Sequence, residues 1–177
     1  MASRNLDAVL SDHAHCEMKA ATTALSLALK NHEHLDAVIV LTKLAQEEID
    51  HFNRVVTFLK QRGQPLGLPP VDEYAVELHK ALKQLLRTGA QPSVKAHPVV
   101  DRLLLGAIIE ARSCERFKLL LDAWPSNADS ELRVFYSDLF ECEARHYVQY
   151  RELAVRVSGQ PEQVIASRLK TLAELEG

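Results

Sequence analysis

Two short segments of the chain repeat one pattern: Glu48-Ile49-Asp50-His51 and Glu143-Ala144-Arg145-His146 are both Glu-x-x-His. On a helix, residues three apart lie on adjacent turns of one face, so a carboxylate and an imidazole at this spacing reach the same point. Carboxylate oxygen and imidazole nitrogen together are donors for iron, manganese or zinc. Two such matches arise easily by chance in a chain with 8 His. The register carries more weight. Glu48 to Glu143 and His51 to His146 are both 95 residues apart, and Glu17 to Glu110 is 93. The order Glu, then Glu-x-x-His, therefore occurs twice at nearly one spacing, as two related helical hairpins would give.

The elements that must position these residues are helices. Only 6 Gly occur in 177 residues, and most long stretches lack both Gly and Pro. Breaks fall at Gly63–Pro70, at Thr88–Pro98, at Trp124–Asn127 and at Ser158–Pro161. Between them the sequence predicts helices at about 5–30, 34–62, 72–87, 98–124, 128–157 and 162–175. Four of these are long, as a bundle requires.

Apolar residues at 3–4 spacing mark a core-facing stripe on each long helix. The stripes run Leu6, Leu10, His13, Glu17, Ala20, Ala24, Leu27; Val38, Leu41, Ala45, Glu48, Phe52, Val55, Leu59; Val100, Leu103, Ala107, Glu110, Cys114, Phe117, Leu121; and Leu132, Phe135, Leu139, Glu143, His146, Tyr150, Leu153, Val157. One glutamate interrupts each stripe near its middle. Glutamate is almost never fully buried unless it is paired, and an unpaired interior carboxylate costs several kcal/mol. No Lys or Arg stands in the stripes to neutralise them, so a pair of metal ions is the simplest remedy. One Glu from each of two helices plus Glu-x-x-His from each of the other two is the di-iron carboxylate set of ferritin-like bundles. The expected fold is all-α: a single ferritin-like four-helix bundle domain over residues 1–177, with additional shorter helices. The expected metal ligands and catalytic residues are Glu17, Glu48, His51, Glu110, Glu143 and His146. Oxygen-rich ligation with two imidazoles suits iron or manganese better than a closed four-ligand zinc site.

The remaining features narrow the class. Charged residues are 25% and apolar ones 47%, ordinary for a soluble globular chain. No apolar run approaches the ~18 residues of a membrane span, and residues 1–10 lack a signal-peptide core. The expectation is a cytoplasmic protein without a membrane partner. Cys16, Cys114 and Cys142 have no paired spacing, so they are read as small core fillers rather than disulfides or ligands. His13, one turn before Glu17, is read as a core histidine. Glu47, Glu115 and Glu141 lie off the stripes and are read as solvated. The net charge of -3 gives no bulk attraction to nucleic acid, so any such binding rests on a local basic patch.

A resemblance joins these residues. His13-Ala14-His15-Cys16-Glu17-Met18-Lys19-Ala20-Ala21, Ala45 through Phe52, Ile109 through Phe117 and Glu143 through Tyr147 together resemble the tRNA hydroxylases of the MiaE type. The resemblance spans roughly Ser11 to Leu153, and residues flanking the ligands match as well as the ligands. It implies a non-haem di-iron monooxygenase. Such an enzyme uses dioxygen as co-substrate to hydroxylate the isopentenyl group of 2-methylthio-isopentenyladenosine in tRNA. Two iron ions would be the cofactor. An external electron donor, such as a ferredoxin system, is needed because nothing here resembles a flavin or nicotinamide site.

The competing readings are a ferritin-like ferroxidase or iron-handling protein, and a non-catalytic interaction bundle with a vestigial metal site. The hydroxylase reading requires a basic rim for tRNA phosphates. Its candidates are Lys80, Lys83, Arg87 and Lys95, with Arg112, Arg116 and Lys118; each alone is read as part of a solvated face. The residues leave the oligomeric state open.

Overall fold

The computed structural model describes residues 2–69, 76, 80, 98–123 and 130–174. The all-α expectation is met: among the described residues there is no strand, and five helices are delimited. They are α1 (Ala2–Lys30), α2 (Leu35–Gln61), α3 (Pro98–Ala123), α4 (Ser130–Ser158) and α5 (Glu162–Ala173). Val76 and Lys80 are also helical. The rest of the predicted 72–87 helix lies outside the described residues, as do the breaks at 88–97 and 124–127. The chain divides into two compact units, Met1–Ala75 and Val76–Gly177.

The first unit is the α1–α2 hairpin. Asn31 ends α1: its backbone N–H and its buried side-chain amide both donate to the Leu27 carbonyl, at 3.0 and 2.8 Å. Gly63 ends α2 with φ +66°, so the backbone turns back without a Cβ clash. Gly63 N then donates to Lys60 O and Gln64 N to Leu59 O, the paired bonds of a Schellman stop. The chain that follows returns to α1, where Ser11 Oγ donates to the Leu66 carbonyl and Arg62 pairs with Asp7. The hairpin core interleaves alanines, including Ala14, Ala21, Ala24, Ala37 and Ala45, with leucines such as Leu10, Leu27, Leu41 and Leu59. Two stripes are turned slightly from their expected course: on α1, Ala21 is buried and Ala20 only half-buried. On α2, Leu44 and His51 are buried, whereas Val38 and Phe52 are half-buried. A 3–4 alternation permits either choice at each step, and packing decides between them.

The second unit packs α3 on α4, with α5 against both. Leu103, Leu104, Ala107, Leu132, Phe135, Tyr136, Leu139 and Leu153 are its buried centre. Phe117 and Tyr136 meet in a tilted pair with ring centroids 5.4 Å apart. Gly106 on α3 faces the Tyr150 ring of α4 so closely that a Cβ built there would lie 2.9–3.0 Å from ring carbons. The absent side chain is what admits the ring.

The C-terminal helix is fastened by a charge pair with no precedent in the stripes. Arg168 Nε and NH2 donate to the two oxygens of Asp101, each at 2.8 Å, and both residues are buried. Removing one partner strands the other charge in the interior. Asp101→Ala is therefore expected to destabilise the protein by about 3–5 kcal/mol, measured as a shifted urea midpoint. The double replacement Asp101→Leu with Arg168→Met should recover most of that loss. A single variant as stable as the parent would contradict this account.

Candidate metal centre

Each unit gathers three of the six expected ligands. In the first, α1 brings Glu17 and α2 brings Glu48 and His51; each offers a donor atom within 4.8 Å of the others. His51 Nδ1 lies 3.3 Å from Glu48 Oε2 and 3.5 Å from Glu17 Oε2. In the second, α3 brings Glu110 and α4 brings Glu143 and His146, again within 4.8 Å of one another. His146 Nδ1 lies 3.7 Å from Glu143 Oε2. None of the six is more than 7% exposed. The two sets are alike in order, in helix placement and in the ring nitrogen that faces the carboxylates.

Their electrostatics favour a cation. Burial alone would raise the Glu17 carboxyl. The charge of His13 beside it, with hydrogen bonds from His13 and His51, holds it instead at about 2, below the ordinary 4.5. Glu17 is therefore ready as an anionic ligand at neutral pH. His13 is buried and donates Nε2–H to Glu17 Oε1, so it orients a ligand carboxylate as well as filling core. The four-residue spacing showed a shared face but not this bond. Two carboxylates and an imidazole converging in each buried set suit a hard or borderline cation, and oxygen-rich ligation with imidazole fits iron.

The cysteines do not extend the donor set. Burial first, and then the nearby Glu143 charge, raises the Cys114 thiol, which stays protonated at neutral pH. Cys16 and Cys114 are half-buried rather than core, while Cys142 is buried as expected. Cys142 has a further contact that its reading as core filler missed: its sulfur lies 3.5 Å from His146 Nε2. Its position one turn before the ligand histidine was the available signal. Glu115 and Glu141 are exposed as expected, whereas Glu47 is half-buried.

Of the basic rim candidates, Lys80, Arg112, Arg116 and Lys118 are exposed, while Lys83, Arg87 and Lys95 lie outside the described residues. Arg112 pairs with Glu115 at 2.8 Å. Arg112 and Arg116 share a face of α3, but Lys118 stands two residues on, ~200° around the helix from Arg116. A cleft of about 170 Å³ in the second unit is lined by residues including Arg112, Tyr147 and Leu169. None of the six candidate ligands lines it, so the candidate centre is the buried donor set. Among the described residues, no helix is long and apolar enough to cross a membrane.

Known proteins resemble this chain over most of its length. Residues 1–177 match the family described as tRNA-(MS[2]IO[6]A)-hydroxylase (MiaE). A Pseudomonas putida protein named tRNA 2-(methylsulfanyl)-N(6)-isopentenyladenosine(37) hydroxylase is 41% identical over 170 residues, covering 96% of this chain and 77% of its own length. A Salmonella typhimurium protein of the same name is 28% identical over 223 residues, covering 98% of this chain and 76% of its own. Among solved structures, a Synechococcus protein described as having aldehyde deformylating oxygenase activity superposes with a TM-score of 0.76 at 35% identity. That match covers 94% of this chain and 76% of the other. The fold is therefore all-α and ferritin-like.

Proposed function

Since this chain belongs to the family of MiaE-type tRNA hydroxylases, we propose that it hydroxylates the isopentenyl group of 2-methylthio-isopentenyladenosine in tRNA, using dioxygen. The observation that carries this reading is the doubled ligand set: two carboxylates and one imidazole, buried together in each unit. Glu17, Glu48, His51, Glu110, Glu143 and His146 would together hold two iron ions, within one domain spanning residues 1–177. A pair of iron ions so bound supplies dioxygen activation and attack on an unactivated carbon.

The protein's own residues set the conditions for that chemistry. Glu48, Glu110 and Glu143 would ligate or bridge as carboxylates, with His51 and His146 each capping one ion through Nδ1. His13 keeps Glu17 ionised and fixes which of its oxygens is turned away from the imidazole of His51. The apolar stripes around these donors exclude bulk water, which strengthens every charge interaction inside. Electrons come from an external donor, such as a ferredoxin-type protein. Arg112 and Arg116, exposed one turn apart on α3, are the proposed phosphate contacts. Binding of tRNA should accordingly weaken with salt as counterions are released. A tRNA substrate puts the reaction in the cytoplasm.

The test supplies the reduced iron protein with prenylated tRNA and ¹⁸O-labelled dioxygen, followed by mass spectrometry of the nucleosides. Label is expected in the isopentenyl side chain. A nucleoside without label, from protein that instead oxidises and accumulates many iron ions per chain, would make this a ferroxidase.

A further inference from the structure

The two halves of the centre differ in what stands one turn before the ligand histidine. Before His51 that position is Glu47; before His146, at the same register, it is Cys142. Within α4 the sulfur of Cys142 lies 3.5 Å from His146 Nε2, on the edge of the ring opposite the nitrogen that faces Glu143. Arg145 reaches back along the helix and donates from NH2 to the same sulfur at 3.1 Å. Cys142 is 6% exposed and His146 is fully buried. A sulfur that receives an Arg N–H has its lone pairs turned towards donors, and the nearby ring nitrogen is a donor once the opposite nitrogen takes a metal.

We propose that Cys142 is a positioning residue for the second half of the metal centre: held by Arg145, its sulfur accepts the His146 Nε2–H and keeps Nδ1 aimed at the ion beside Glu143. A ligand histidine characteristically gives its outer N–H to a carboxylate, carbonyl or water, which fixes tautomer and ring orientation and strengthens the nitrogen as a ligand. This role of Cys142 rests on the reading of His146 as an iron ligand.

The experiment is anaerobic titration of metal-free protein with ferrous iron, by calorimetry, for the parent, Cys142→Ala and Cys142→Ser. Melting temperatures of the three metal-free proteins are measured alongside. The parent should bind two ions. In Cys142→Ala one ion should bind about 10–100-fold more weakly and the other within about threefold of the parent, the range for loss of an outer partner of a ligand. Cys142→Ser keeps an acceptor oxygen and should restore the weakened ion, even though metal-free Cys142→Ala and Cys142→Ser melt alike. Equal weakening in both variants, or none in either, while the parent binds two ions, overturns the role of Cys142 alone. A parent that binds no ferrous iron overturns the metal-centre reading and this proposal with it.

Discussion

Glu110→Ala, Glu143→Ala and His146→Ala are each expected to reduce bound iron from two ions per chain to one or none, and to lower oxygen incorporation into tRNA by more than about 100-fold, the ceiling for losing an outer partner. The loss should be chemical rather than structural. The apolar residues that flank these donors along each helix carry the packing. Alanine is also the best helix former, so none of the three replacements weakens its helix, and the two glutamate replacements relieve a crowded carboxylate. Circular dichroism of the variants should match the parent, while metal analysis and the labelled-dioxygen assay should not. A variant that retains two ions and full incorporation would remove its residue from the ligand set.

Removal of iron should produce the other large effect, a fall in thermal stability at neutral pH. Without a cation, the buried carboxylates are stabilised only by the imidazoles beside them, His13 and His51 in the first set and His146 in the second, and by other hydrogen bonds or water. An ion that binds the folded chain alone, at a free concentration a thousandfold above its Kd, adds about 4 kcal/mol; two add roughly 8. For a chain of this size each kcal/mol moves Tm by about 2–4 °C, so the iron-loaded protein should melt roughly 16–32 °C higher. Equal Tm values for the two forms, with binding to the native state verified, would contradict the claim. Acid should act on the metal-free protein in a defined window. Glu17 is held at about 2 in the folded chain against an ordinary 4.5. The stability that it contributes is complete above pH 4.5 and is lost as pH falls towards 2.

The ligand glutamates were legible because burial of a carboxylate contradicts its chemistry, and a helical stripe states burial directly. Glu17, Glu48, Glu110 and Glu143 are all where the periodicity puts them. The second layer was less legible. His13 and Cys142 each sit four residues before a ligand, but spacing names a shared face and not which atoms meet. Asp101 and Arg168 were invisible for another reason. They are 67 residues apart, belong to no local motif, and carry charges that on composition alone read as solvated. Their mutual neutralisation exists only in the folded chain. The choice between His51 and Phe52 for full burial on α2 likewise lay in packing, since both positions satisfy the same period.

The contact between Gly106 and Tyr150 has a consequence for ion selection. Gly106 stands one turn before Glu110 on α3, and Tyr150 one turn after His146 on α4. The ring seated on bare backbone therefore acts as a feeler gauge: its thickness sets the gap between the two helices beside the donor atoms. The spacing of these two helices then contributes, together with the number and flexibility of the ligands, to the ionic radius that the donors prefer. Substitutions at positions 106 or 150 would alter that contribution from a distance, without changing a ligand.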